Sequence, residues 1–288
     1  MGTSTSSSGP GPAVSLDPPW LDDIAAPGAA SSGNVEPAEP TDGSGHGDAP
    51  TEAEPVAGVL PPALAPTRRF GAARTSLSAF LRSGDTRALG RAIGHYSRTG
   101  MGGAGRAATR MRAATRAGAG LISFLNATSI GTDAQATEWV RDLLARDPSV
   151  AEVVDAIVEA VMPAGGSADE ESIRDSMAIA LSDLMTIVPE CDPLHMSVDD
   201  TWTLMQLYLS QEVCNRLRFD MGQAFESATL DPATVVQREL EMRQFVRNEI
   251  GVQLGVLRDV TPNPTRPQLD RLMQDAVRLM LQVYEGDL

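Results

Sequence analysis

The sequence predicts an all-α fold: a helical domain of about seven to nine helices, preceded by a long disordered N-terminal tail. Three observations carry this reading. Beyond about position 68 apolar residues recur at spacings of three and four, and no convincing alternation at two is found. Capping residues stand where those runs begin, and Gly or Pro where several of them end. Residues 1–67 are rich in Gly, Pro, Ser, Ala and acids, with one aromatic, Trp20. Such a segment buries too little apolar surface to offset the entropy of ordering it.

The elements follow in order. From about Arg68, Leu77, Phe80 and Leu81 form a first apolar face. Leu89 and Ile93 form a second after Ser83-Gly84-Asp85. The segment HYSRTGMGGAGRAATRMRAATRAGAG, residues 95–120, predicts a glycine turn near 100–105 and then a small-faced helix to about 118. Asp133 opens a helix through Trp139, Val140, Leu143 and Leu144. Asp147-Pro148 reads as an N-cap followed by proline at the first helical position, leading into Val150, Val154, Ile157, Val158 and Val161. Ser167 and Glu170 read as a capping box before Ile173, Met177, Leu181 and Leu184. Ser197 with Asp200 caps the run Trp202, Met205, Leu209, Val213 and Leu217. Asp231-Pro232 starts a helix through Val236, Leu240, Phe245, Ile250, Leu254 and Leu257. A last helix from about Pro267 carries Leu269, Leu272, Val277, Leu281 and Tyr284. No fixed-period repeat is present.

Charge divides the 288 residues into three parts: an acidic tail (1–67), an Arg/Gly-rich basic helical segment (68–120) and an acidic all-α domain (121–288). The formal net charge of −15 is the sum of −9, +10 and −16 over these parts. All 23 basic residues are Arg, so a Schiff-base lysine and a P-loop lysine are both excluded. The two cysteines, Cys191 and Cys214, without a signal peptide, read as reduced core thiols in a cytoplasmic protein. No stretch is long and apolar enough to span a bilayer, so no membrane partner is expected.

No catalytic or metal-ligating constellation stands out, and the chain reads as non-enzymatic. Gly100-Met101-Gly102-Gly103-Ala104-Gly105 satisfies GxGxxG, but a dinucleotide fold needs a strand before it and an acid further on. A glycine turn for close helix packing explains it, and an anion-binding loop with Arg106 is the alternative. Arg98, Arg106, Arg110, Arg112 and Arg116 are candidates for binding an anion or nucleic acid, and Arg106, Arg110 and Arg116 could share one helix flank. The same band would also suit pairing with this chain's own acidic helices or an acidic partner. Cys191 and His195, four apart in CDPLH, fall short of a zinc site, which needs three or four ligands.

The N-terminus offers other chemistry. Removal of Met1 would leave Gly2 as a free amine with no side chain, on a stem of small hydroxyl residues. An α-amino group titrates at about 7.7–8.0, so part of it is neutral and nucleophilic near neutral pH. Met1-Gly2 with Ser6 also matches the myristoylation pattern. Leu16, Pro18, Pro19 and Trp20 could form a short docking motif around an aromatic anchor.

The start MGTSTSSSGPGP with LDPPW, the middle segment HYSRTGMGGAGRAATRM and the order of tail, Arg/Gly-rich segment and acidic helical region resemble the QatB family, a component of Qat anti-phage defence systems. The resemblance implies a subunit working beside an ATPase, a TatD-like nuclease and a QueC-like enzyme of the QatC type. It implies further that the QueC-like partner attaches a deazaguanine to the N-terminal glycine. Gly2 would then be the acceptor, with Thr3, Ser4, Thr5 and Ser6 entering the partner's active site. ATP, a deazapurine and zinc would belong to that partner, and this chain would carry no cofactor of its own. Leu16, Pro18, Pro19 and Trp20 would dock outside the partner's pocket. A nucleic-acid-binding adaptor or scaffold using the Arg-rich 68–116 band is the alternative function.

Overall fold

The structure, a computed structural model, describes residues 69–131, 133–226 and 229–286. The tail expected over 1–67 lies outside the described residues, and with it every site residue assigned there. Among the described residues there is no strand. Eleven α-helices run in order: α1 (Gly71–Ser83), α2 (Thr86–His95), α3 (Ala104–Arg110), α4 (Arg112–Ile130), α5 (Ala134–Leu144), α6 (Val150–Val161), α7 (Ala168–Ile187), α8 (Val198–Met221), α9 (Gln223–Glu226), α10 (Pro232–Val260) and α11 (Arg266–Gly286). The all-α expectation holds. The count exceeds seven to nine because one expected helix breaks into α3 and α4, and because α9 is a four-residue turn.

The helix starts follow the capping chemistry. Asp133 accepts from the amides of Gln135 and Ala136. Ser167 with Glu170 and Ser197 with Asp200 both form reciprocal capping boxes. Asp231 accepts from the Thr234 amide, with Pro232 in the first turn of α10. One start differs from expectation. Ser149, not Asp147, is the N-cap of α6, because Ser149 and Glu152 close a capping box that Asp147 cannot match. Pro148 therefore precedes the cap, and Asp147 takes a positive φ of 52°.

The segment between α2 and α4 also departs from a plain turn. Tyr96–Met101 is a π-helical turn continuous with α2, and Gly102 and Gly103 then take positive φ values of 78° and 112°. A Cβ on Gly100 would stand 2.5 Å from the Phe70 ring, so glycine is what lets this turn reach α1. Phe70 in turn stacks on Tyr96 at 5.5 Å. A short helix, α3, follows and breaks at Met111, whose φ and ψ of −92° and 9° leave the helical region. The second helix runs on to Ile130, past the expected end near 118, because Leu121, Ile122 and Leu125 extend its buried face.

Helix α8 is buried on nearly all sides, as befits a central helix. It packs against α7, α10 and α4, while α11 lies against α2, α3, α4 and α10. At the α4–α8 contact, Gly118 leaves room for Tyr208: a Cβ there would stand 2.4 Å from the ring. Tyr208 is fully buried and donates its hydroxyl to the Ala114 carbonyl at 2.7 Å. The basic segment shares one hydrophobic core with the acidic helices. Buried polar bonds tie the two: Ser97 Oγ donates to Glu285 at 2.5 Å, and Thr115 Oγ1 to Asp270 at 2.8 Å.

Candidate functional site

Two features stand close together where α3 breaks into α4. The first is the arginine band. Arg98, Arg106, Arg112 and Arg116 are exposed, while Arg110 is half-buried. Arg116 lies 3.9 Å from Asp270 and is the one of these five with an acidic partner among the described residues. Elsewhere in the band, Arg91 faces Asp85 at 3.9 Å and Arg74 donates to Gln223 and to the Asp220 carbonyl. The two readings left open by the sequence therefore divide the band: part of it pairs internally, and Arg98, Arg106 and Arg112 stand in solvent. The break at Met111 places Arg106 and Arg110 on one helix and Arg116 on another, so the three do not share a single helix flank.

The second feature is a cleft of about 120 Å³ between this break, the start of α7 and the last turns of α8. Arg110 and Met111 line it from the break, Asp169, Ser172 and Ile173 from α7, and Glu212, Asn215, Arg216 and Phe219 from α8. The spacing of 212, 215/216 and 219 puts one face of α8 along the cleft. Arg216 is held near Asp220 at 3.3 Å and Asp169 at 3.8 Å. Asp220 also accepts from the Tyr96 hydroxyl at 2.8 Å. Asn215 donates to Ser176 Oγ at 3.0 Å and accepts from Gln211.

Glu212 is the exceptional member. It is 7% exposed and its Oε1 has no hydrogen-bond partner among the described residues. Burial raises its carboxyl to about 7; Ser176 opposes the shift, Asp169 adds to it, and Arg216 opposes it. Sequence reasoning missed Glu212. The signal was there: it stands four residues after Tyr208 and seven after Met205, on the side of α8 that carries apolar side chains.

Other sequence candidates take plainer roles. No strand precedes the glycine segment, which removes the dinucleotide reading. The Gly102 and Gly103 amides both donate to the Ser97 carbonyl, so the loop spends those N–H groups on its own backbone. Cys191 and His195 form no ligand set, and no metal-binding group of His, Cys, Asp and Glu is found among the described residues. His195 Nδ1 instead lies 2.8 Å from Asp192. Burial pushes the Cys191 thiol up to about 11 and the Cys214 thiol up to about 12, so both stay protonated at neutral pH. Gly2, Thr3, Ser4, Thr5, Ser6, Leu16, Pro18, Pro19 and Trp20 lie outside the described residues.

Residues 102–284 match the family model described as Qat anti-phage system associated protein QatB. The chain belongs to the QatB family. No curated protein and no solved structure gives a significant match. The QatB match takes in α3, α4 and every residue lining the cleft, and it begins after the π-helical turn. As a QatB-family member the chain is a component of an anti-phage defence system. No helix among the described residues is long and apolar enough to cross a membrane.

Proposed function

We propose that this QatB-family chain is a non-enzymatic defence subunit whose N-terminal glycine, Gly2, accepts a deazaguanine from a QueC-like partner enzyme. Family membership carries the reading. The tail sequence supports it: a glycine amine without a side chain, on a stem of Thr3, Ser4, Thr5 and Ser6, suits entry into another protein's active site. Leu16, Pro18, Pro19 and Trp20 would dock the tail outside that site. The ATP, the deazapurine and the zinc belong to the partner. The non-enzymatic assignment rests on the sequence, in which no nucleophile, base and orienting group stand in a recognised order.

The test is the intact mass of the chain, purified with and without its genomic neighbours, joined to sequencing of its N-terminal peptide. Loss of Met1 plus an added mass matching a deazaguanine on Gly2 is the expected result with the neighbours present. Gly2→Pro should abolish both the added mass and phage protection. A plain Gly2 terminus in both samples, or full protection by Gly2→Pro, overturns the reading.

A second reading has its own observation. Arg98, Arg106 and Arg112 are exposed and have no acidic partner among the described residues, which suits a polyanion such as nucleic acid. The two readings concern different parts of the chain and can hold together.

A further inference from the structure

The cleft between the α3–α4 break, α7 and α8 has no part in the tail chemistry, and its open valences define a ligand. Its volume of about 120 Å³ is close to the roughly 150 Å³ of an apolar cavity that takes up benzene. It therefore admits a group of about one ring. Met111, Ile173 and Phe219 supply apolar contact. With Glu212 ionised, as it is at pH 8, the four charged residues lining it, Arg110, Asp169, Glu212 and Arg216, cancel in charge, which favours a neutral ligand over an ion.

Most polar groups around the cleft are already engaged. Arg216 sits between Asp169 and Asp220, and Asn215 between Ser176 and Gln211. Some valences are not. Among the described residues Glu212 Oε1 is buried without a donor and Arg216 Nε is buried without an acceptor, and a buried polar atom left unpaired keeps its full desolvation cost. Arg110 is half-buried, and its guanidinium has no acceptor among the described residues. The site thus lacks one N–H donor and carbonyl-type acceptance for two arginine N–H groups, which the two lone pairs of one carbonyl can supply. Both belong to an amide.

We propose that this cleft binds a small neutral amide carried on a single ring, a primary carboxamide or a lactam. The ligand N–H donates to Glu212 Oε1, the ligand carbonyl accepts from Arg110 and Arg216 Nε, and the ring packs on Met111, Ile173 and Phe219. The charged and titratable groups facing Glu212 are Tyr208 and Arg216 from α8, Asp169 from α7 and Arg110 from the break. Because a donor favours the carboxylate over the acid, binding near pH 7 releases protons. Calorimetry in buffers of different ionisation enthalpy reads that release directly.

The test uses benzamide and acetophenone, which share ring and carbonyl and differ by NH₂ against CH₃. Titrated into the full chain at pH 8, benzamide should bind one to one. Acetophenone should bind at least about tenfold more weakly, since it leaves Glu212 Oε1 unfilled. Glu212→Met and Arg110→Met should each weaken benzamide by at least about tenfold. Arg110 makes no polar side-chain contact among the described residues, so Arg110→Met keeps its fold and its result stands even where Glu212→Met does not fold. Absence of benzamide binding at millimolar concentration overturns the proposal. So does equal binding of acetophenone, or unchanged benzamide affinity in Arg110→Met.

Discussion

At Glu212 the fold keeps a carboxyl where the neutral form is favoured. Burial raises its pKa from the ordinary 4.5 to about 7. Between those values the native state binds more protons at this position than the unfolded chain does. This group's contribution to stability is therefore fully present below pH 4.5 and is lost as pH rises toward 7. Glu212→Gln removes that dependence. Urea denaturation at pH 5 and pH 8 should show the wild type losing about 2 kcal/mol more than the variant over that span; equal losses would show that the carboxyl is solvated in the native protein. A group retained at such a cost in a cleft, with one oxygen unfilled, suits a site better than a core. The sequence made part of this scale legible. It pointed to the glycines of 100–105, and Gly100, Gly102 and Gly103 do carry the turn. It carried only half of the signal for Glu212: the spacing from Met205 and Tyr208 sets the acid on an apolar side of α8, but its burial follows from the enclosure of α8 by α7, α10 and α4.

The elements were most readable where a side chain bonds its own backbone nearby. Asp133, Ser167, Ser197 and Asp231 all cap the helices that their spacing announced. Asp147 did not, since the competing box of Ser149 and Glu152 lies only two residues on and satisfies two amides reciprocally. The π-helical turn and the break at Met111 had no local signal. They arise from tertiary contacts: Gly100 against Phe70, and Met111 buried beside the cleft. The caps give a direct test. Ser197 accepts from the Asp200 amide at 3.1 Å at the start of the central helix. Ser197→Ala should cost about 1 kcal/mol, read as a shift in the denaturant midpoint with unchanged slope. Ser197→Thr should recover most of that loss, because its hydroxyl can accept from the Asp200 amide and donate to the Asp200 carboxylate as serine does. A loss in Ser197→Ala that Ser197→Thr leaves unrepaired would locate the effect outside the cap.

Over the whole molecule, charge and burial separate what the sequence showed together. Residues 68–120 carry +10 against −16 for residues 121–288, yet both contribute to one hydrophobic core. Attraction between them is met in part at Arg116–Asp270, Arg74 bonds the Asp220 backbone carbonyl, and Arg98, Arg106 and Arg112 are left outward. A cationic face on a strongly acidic protein is locally selective. It attracts a polyanion at short range, while the net charge of −15 repels one at a distance. Binding through this face must therefore rest on close phosphate contacts, and salt dependence counts them. Each contact contributes a slope of about −0.9 in log K against log salt on duplex DNA. If the face holds a phosphate backbone, Arg106→Gln with Arg112→Gln should reduce that slope by about 2 in size. Stability should stay within about 0.5 kcal/mol of the wild type, because both side chains are exposed and make no polar contact among the described residues. Fluorescence anisotropy of a labelled duplex across a salt series makes the measurement. A slope unchanged by the double substitution, or no binding at low salt, overturns the phosphate-backbone reading of this face.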